Sequence, residues 1–299
     1  MVETPLELGF ELRLDRRATK KVRMEQAQPP WGGSGMIDLH VHLLPGVDDG
    51  PSTWDEAVAM VRMAAAEGVT AMAATSHMVP GGVYPNTRER LLTLVAELQR
   101  RVAESGIEME IYPGAEVYMT ADVAELAARS ELLTYCDAGR YMLLEMPTSE
   151  IPPYAVQVID DLRLQGIIPI IAHPERNLDI ISEPSRAAEL VERGALLQVT
   201  ASSLKAAQPV RAATRFLLRH GLVHFLASDA HGAYNRRPRL GSYLGLAREW
   251  LDTATVQQMV EHNPAAVLEG RTLDPHRHPP RALGARRFWQ TVMQRLIVR

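Results

Sequence analysis

Short apolar runs with strand character alternate along the chain with longer segments whose apolar residues recur at helical spacing. Alternating strands and helices predict parallel pairing with right-handed crossovers, and seven strands favour closure of the sheet. We therefore expect an α/β fold built as a (β/α) barrel, distorted from the regular form. The seven predicted strands lie at residues 36–42, 69–75, 108–112, 141–145, 167–172, 195–200 and 222–228.

Helix starts are predicted from capping signals. Thr53 with Glu56 and Asn86 with Glu89 have the spacing of a capping box, in which a polar side chain accepts a hydrogen bond from a backbone amide three residues later. Ser149 and the pair Asn263-Pro264 are further predicted starts.

Both ends of the chain differ from this pattern. Residues 1–35 carry a basic patch followed by a stretch with two prolines and three glycines, which predicts a flexible extension. Residues 271–299 hold seven arginines and one acid, with apolar residues at helical spacing, which predicts a basic amphipathic tail. This tail is a candidate for contact with a membrane or a partner, although packing on its own barrel or fraying is the general expectation for a terminus. The catalytic barrel is predicted over residues 36–270.

Composition narrows the class of protein. The 299 residues are 46% hydrophobic, enough for one barrel-sized core, and the net charge of -4 offers no overall attraction to nucleic acid. A single cysteine, Cys136, excludes an internal disulfide and suits a reducing compartment. Because no signal peptide or run of 18 apolar residues is present, we expect a cytoplasmic protein.

Acidic and imidazole side chains follow six of the seven predicted strands. Parallel strands of a barrel end at one rim, so these groups would meet there and could hold metal ions. Each motif alone has an ordinary explanation: a chance H-x-H, an Asp-Gly turn, or a hydrogen-bonded histidine at the rim. Their coincidence is what predicts a metal-dependent hydrolase. The candidate metal ligands are His40, His42, Asp49, His77, Glu116, Glu145, His173, Asp229 and His231.

The same residues suit the hydrolysis of phosphate monoesters. A pair of metals can lower the pKa of a bridging water, so that a metal-bound hydroxide acts as the nucleophile, and can clamp phosphate oxygens. Arginine binds phosphate in a bidentate manner, and Arg176 with either Arg236 or Arg237 are the candidates for that contact; the alternative is a surface ion pair. A cysteine nucleophile is disfavoured because Met142 stands where a phosphate-binding arginine would follow Cys136. Imidazole and carboxylate ligands without thiolate suit manganese, iron or zinc.

The ordered motifs H-x-H, D-D-G, S-H, G-A-E, L-L-E-M-P, H-P-E-R and S-D-A-H resemble the PHP (polymerase and histidinol phosphatase) superfamily. The segments LPGVDDG and HPER look most like its bacterial protein-tyrosine phosphatases of capsule and exopolysaccharide loci, and the resemblance covers residues 36–270. It implies a distorted (β/α)7 barrel of the PHP type with three metal ions, usually manganese. Ser76 departs from the family, which commonly has proline there.

The resemblance also implies roles for matching residues. One ion would be held by His40, His42, Glu116 and Asp229, a second by Glu116, Glu145 and His173, and a third by Asp49, His77 and His231. By its spacing, the resemblance also favours Arg236 over Arg237 for phosphate, and the substrate that it implies is a phosphotyrosine protein, in particular a bacterial tyrosine kinase. The alternatives are another PHP phosphoesterase, such as a histidinol phosphatase, and a non-catalytic interaction barrel. The oligomeric state stays open.

Overall fold

The computed structural model of the protein describes residues 35–273. The predicted flexible extension at residues 1–35 and the predicted amphipathic tail at residues 271–299 lie outside these residues, apart from Gly35 and the segment 271–273. Within the described range the strands are β1 (Met36–Val41), β2 (Val69–Ala74), β3 (His77–Met78), β4 (Glu110–Pro113), β5 (Glu116–Tyr118), β6 (Tyr141–Glu145), β7 (Ile168–Ala172), β8 (Leu196–Thr200) and β9 (Phe225–Ala227).

All strand pairs are parallel, and they form two sheets. One has the order β1-β2-β4 and the other the order β3-β5-β6-β7-β8-β9. Beyond β9 the backbone turns to β1: Asp229 N donates to His40 O at 2.8 Å, and His42 N donates to Ala230 O at 2.9 Å. The carboxyl ends of β1 and β9 therefore lie side by side.

Two of the seven predicted strands are interrupted, so the described strands are more numerous than expected. The run predicted at 69–75 ends at Ala74 and resumes as β3, and the run predicted at 108–112 is followed by β5, which was not predicted. Pro113, which has no amide hydrogen, is the last residue of β4. Parallel pairing across β3 and β5 then places His77 opposite Glu116. The run predicted at 222–228 shortens to β9.

The helices of the described range alternate with the strands. Their bounds are α1 (Trp54–Ala66), α2 (Arg88–Glu104), α3 (Val123–Ala128), α4 (Ala155–Leu164), α5 (Leu178–Ser182), α6 (Ala187–Glu192), α7 (Val210–Arg219), α8 (Leu240–Arg248), α9 (Thr253–Gln257) and α10 (Asn263–Leu268). Among residues 35–273, no helix combines the length and apolar character that crossing a bilayer requires.

Two of the predicted helix starts are correct and two are wrong. Thr53 caps α1 by accepting from Glu56 N at 3.2 Å, and α10 begins at Asn263. Asn86 is not a cap: its side chain is buried, and Thr87 caps α2 instead. The Asn86 amide group donates to Val47 O at 3.0 Å and to His77 O at 2.7 Å, so it ties two loops together. Ser149 lies in the loop that precedes α4.

The strands β7 and β8 are buried on both faces, as parallel strands covered by helices require. At their amino ends, tight turns lead directly into β2 and toward β7, and Gly68 and Gly166 adopt φ values of 90° and 80° there. These conformations suit glycine because it has no Cβ. The opposite ends of the strands carry the polar groups. A rigid apolar core thus supports one polar rim.

Candidate metal centre

Seven of the nine candidate ligands lie at the carboxyl ends of strands or in the loops that follow them, while His77 and Glu116 begin β3 and β5. Two of them, His173 after β7 and Asp229 after β9, have left-handed φ values of 30° and 52°. Such backbone conformations are costly for residues other than glycine, and they concentrate at functional sites. Seven of the nine side chains are at most 14% exposed, while Glu145 is 21% and Asp49 is 47% exposed.

A first group of donors meets around the carboxylate of Glu116. His40 Nε2 and His42 Nε2 lie 3.3 Å and 3.2 Å from Glu116 Oε2. The same two nitrogen atoms lie 3.6 Å and 3.9 Å from Asp229 Oδ1. Each of the two imidazole nitrogens therefore lies within 4 Å of both carboxylates.

The other oxygen of Glu116 faces a second group. His173 Nε2 lies 2.8 Å from Glu116 Oε1 and 3.9 Å from Glu145 Oε1. Glu116 thus connects the two groups through its two oxygen atoms.

A third group forms on the exposed side, around Asp49 in the loop after β1. Its Oδ1 atom lies 3.5 Å from His77 Nε2 and 3.3 Å from His231 Nε2. His42 approaches the same carboxylate, with Nδ1 at 4.0 Å. The other ring nitrogen of His77 points back to Glu116 Oε2 at 3.2 Å, so the groups are contiguous.

Hydrogen bonds from outside the cluster orient two of the imidazoles. His40 Nδ1 lies 2.7 Å from Gln198 Oε1, and His42 Nδ1 lies 2.8 Å from Asp48 Oδ2. Both partners accept hydrogen bonds, so Nδ1 carries a proton and Nε2 is the nitrogen that faces the cluster. Sequence reasoning assigned no role to Gln198 and treated Asp48 as part of a turn. The sequence did offer one signal for Gln198. It is a polar residue inside the apolar strand β8, and a buried polar side chain needs a hydrogen-bond partner.

The close approach of carboxylates and imidazoles in the cluster shifts the pKa values of both kinds of side chain. Burial opposes charge, but hydrogen bonds to Asp48 and Glu116 raise the pKa of His42 to about 10, and Glu116 raises the pKa of His173 to about 9. Despite its burial, the neighbouring histidines hold the pKa of Glu116 well below its ordinary value. Burial and the charge of Glu116 raise the pKa of Glu145 to about 7. In the absence of metal, protonated histidines thus balance the negative charge of the carboxylates. Bound metal cations could balance the same charge.

Two arginines border the cluster at Asp229. Arg176 Nη1 lies 2.8 Å from Asp229 Oδ2, and Arg236 Nη2 lies 2.7 Å from the same oxygen. Arg237 lies away from this oxygen, and its Nε donates to Tyr234 O at 3.2 Å. The structure therefore brings Arg176 and Arg236 together beside the donors and leaves Arg237 outside.

Glu175, which precedes Arg176, is a further residue without an assigned role from sequence. Its side chain is fully buried, and Oε1 accepts from Thr200 N at 3.0 Å and from Ser203 Oγ at 2.7 Å. These bonds join the loop after β7 to the end of β8. Glu175 thereby holds the backbone from which Arg176 projects.

Cys136 takes no part in the cluster. Burial raises the pKa of its thiol to about 11, and its Sγ donates to Leu268 O at 3.4 Å. A thiol with a raised pKa is a poor nucleophile near neutral pH.

The donor set fits divalent cations. Four combinations of three or four His, Asp and Glu side chains bring one ligand atom each within 4.8 Å of the others. Within residues 35–273 these combinations contain all nine candidate ligands and no cysteine. Nitrogen and oxygen donors at this spacing are typical of manganese, iron or zinc sites.

Comparisons with known proteins found relatives that match most of this chain. The family described as capsular polysaccharide synthesis, CpsB/CapC, matches residues 36–269. The tyrosine-protein phosphatase YwqE of Bacillus subtilis is 33% identical over 256 residues, which cover 85% of this chain and 99% of YwqE. CapC of Staphylococcus aureus is 36% identical over 203 residues, which cover 67% of this chain and 79% of CapC. A crystal structure from a study of YwqE and Streptococcus pneumoniae CpsB, named there as metal-dependent tyrosine phosphatases, superposes with a TM-score of 0.75 at 33% identity, covering 83% of this chain and 99% of that one.

Proposed function

This chain belongs to the CpsB/CapC family of capsular polysaccharide synthesis, and from that premise we propose that it is a metal-dependent protein-tyrosine phosphatase. Its substrate is a phosphotyrosine protein, in particular a tyrosine kinase of capsule or exopolysaccharide biosynthesis, and it acts in the cytoplasm. The observation that carries the proposal is the cluster of nine nitrogen and oxygen donors beside two arginines.

Three manganese ions are the proposed cofactor, with iron or zinc as alternatives. The first would be held by His40, His42, Glu116 and Asp229, the second by Glu116, Glu145 and His173, and the third by Asp49, His77 and His231. The grouping of the donor distances around Glu116 and Asp49 supports this division. When bound, such ions supply Lewis acidity and lower the pKa of a water that serves as nucleophile.

The protein's own groups position the phosphate monoester. Arg176 and Arg236 present guanidinium groups beside Asp229, where each can donate to phosphate oxygens. Glu175 and the left-handed backbone at Arg236, with a φ of 48°, hold these two groups in place. During phosphoryl transfer, negative charge spreads over the three equatorial oxygens of the phosphate. Arginine side chains that bind these oxygens stabilise that charge.

We further propose that the two sheets act as one distorted (β/α)7 barrel. Counting β2 with β3 and β4 with β5 as interrupted single strands leaves seven. The backbone hydrogen bonds from Asp229 and His42 across to the neighbouring segment support closure between the first and the last strand.

The function is tested with purified, manganese-loaded protein on three substrates: a phosphotyrosine peptide, a phosphoserine peptide and histidinol phosphate. We expect hydrolysis of the phosphotyrosine peptide, with kcat/KM reduced at least about 100-fold in His42→Ala and in Arg176→Ala. Arg90→Gln, which removes an exposed charge on α2, is the control and retains activity. Metal analysis of the protein before loading identifies the native ion.

Two results would overturn the assignment. Preference for histidinol phosphate would point to another PHP phosphoesterase. Absence of hydrolysis on all three substrates at full metal content would favour a non-catalytic interaction barrel.

A further inference from the structure

A cavity of about 340 Å³ opens beside the metal centre and shares Asp229 with it. The loop between β9 and α8 lines it with Tyr234, Arg237 and Arg239, and Ser202 after β8 also lines it. None of these four residues was needed to explain the phosphatase chemistry. The cavity is therefore an additional feature of the same rim.

The cavity carries excess positive charge. Its lining includes three arginines, at 236, 237 and 239, and Asp229 is its one carboxylate. That carboxylate already accepts from Arg176 and Arg236. Among residues 35–273, no ion pair is formed by Arg237 or Arg239, and both are exposed. Two guanidinium groups thus face solvent with no acidic partner in that part of the chain.

The loop that presents these arginines is held in one shape. His231 N donates to Arg236 O at 2.9 Å, and Ala233 N donates to Glu56 Oε1 at 3.3 Å. Arg237 Nε donates to Tyr234 O at 3.2 Å, which leaves its terminal nitrogens available. A preformed cationic wall binds an anion with little ordering cost.

We propose that this cavity binds an anionic side chain of the protein substrate, adjacent in sequence to the phosphotyrosine. The inference rests on the proposed function and adds a substrate class to it: phosphotyrosine segments with a neighbouring carboxylate or second phosphate. An extended peptide advances roughly 3.4 Å per residue, so a side chain within about three residues of the phosphotyrosine reaches a wall that begins at Asp229. The exposed ring of Tyr234 offers an apolar face to the same segment, with 79% of its surface free.

The experiment compares KM for matched peptides with one central phosphotyrosine. One peptide has a pair of glutamates before it, one has the pair after it, and one has glutamines at all those positions. A fourth carries a non-hydrolysable phosphonate analogue of phosphotyrosine in place of the glutamates, which distinguishes a second phosphate from a carboxylate. We expect at least one glutamate or phosphonate peptide to have a KM about 3- to 10-fold below that of the glutamine peptide, as two partly exposed ion pairs would give. Added salt is expected to reduce the difference.

The variant Arg237→Gln/Arg239→Gln is expected to bring this ratio of KM values close to one. Arg237→Lys/Arg239→Lys keeps the charge and part of the preference, and Arg90→Gln, with its charge removed elsewhere, keeps all of it. Circular dichroism checks that each variant is folded. Equal KM values for all four peptides in the wild-type protein would overturn the inference, as would a preference that survives in the glutamine double variant. Hydrolysis of all four peptides with equal KM would leave the phosphatase assignment standing, whereas failure to hydrolyse any of them would remove both.

Discussion

Asp48 lies outside the donor set and orients one of its candidate metal ligands, His42. Its side chain is buried, and it accepts three hydrogen bonds: from His42 Nδ1 at 2.8 Å, from His77 N at 2.9 Å and from Gly50 N at 3.0 Å. The change Asp48→Asn keeps the size of the side chain but replaces one acceptor oxygen by an NH₂ group. One of the three donors then loses its partner, and His42 loses the charge that fixes its tautomer.

The pKa of Asp48 indicates how strongly its hydrogen-bond donors stabilise the carboxylate. Burial opposes ionisation, but the hydrogen bond from His42 lowers this pKa from 3.8 to about 2. At about 1.36 kcal/mol per unit, the carboxylate is stabilised by about 2.5 kcal/mol. Removing a partner of this kind typically lowers metal affinity about 10- to 100-fold.

The assay is competition for Mn²⁺ against a fluorescent chelator, with kcat/KM on a phosphotyrosine peptide measured in parallel. We expect the apparent Kd for Mn²⁺ to rise about 10- to 100-fold in Asp48→Asn. Asp55→Asn, an exposed aspartate in the first turn of α1, is the matched control and retains wild-type affinity. Wild-type Mn²⁺ affinity in folded Asp48→Asn would refute the reasoning.

The same pair predicts a pH dependence for the metal-free protein. The Asp48 contribution to the free energy of unfolding is present above pH 3.8 and is lost as the pH falls through about 2. The His42 contribution is present below pH 6.5 and is lost as the pH rises through about 10. The stability difference between wild type and Asp48→Asn, measured by urea unfolding, is therefore largest between pH 3.8 and 6.5. A difference that grows steadily above that range would contradict this account.

Three further predictions concern residues around the centre. Gln198→Leu removes the acceptor for His40 Nδ1 and is expected to weaken Mn²⁺ binding about 10-fold. Unchanged Mn²⁺ affinity in the same competition assay would show that the hydrogen bond does not orient His40. Glu175→Ala leaves the buried amide of Thr200 without a hydrogen-bond partner and should lower the free energy of unfolding, measured in urea, by about 3 kcal/mol. Glu175→Gln retains the Oε1 acceptor and should lose less. Equal losses in the two variants would contradict the assigned role. Cys136→Ala should retain wild-type kcat/KM, because burial raises the thiol pKa to about 11 and the residue lies outside the donor cluster, and a large loss would reopen cysteine catalysis.

Much of the fold could be read from the chain because its signals are local. Apolar strand runs, glycines at the amino ends of the strands and the cap at Thr53 each act within a few residues, and the structure agrees with them. The errors arose where distant contacts prevailed over local preference. Asn86 has the composition of a cap, yet its amide group binds carbonyls of Val47 and His77, which only the folded chain brings near.

For the candidate site too, the sequence predicted one part and the tertiary structure decided the rest. The residue types at the strand ends predicted, before any coordinates, that nitrogen and oxygen donors would meet at one rim, because parallel strands joined by helical crossovers end on the same side. Only the tertiary structure decided that Glu116 lies between two groups of donors, and that Gln198 and Asp48 orient the imidazoles. Likewise, it placed Arg236 rather than Arg237 beside Asp229. These are distances between residues separated by many positions in the chain, and they depend on the register and pairing of the strands, which no local pattern encodes.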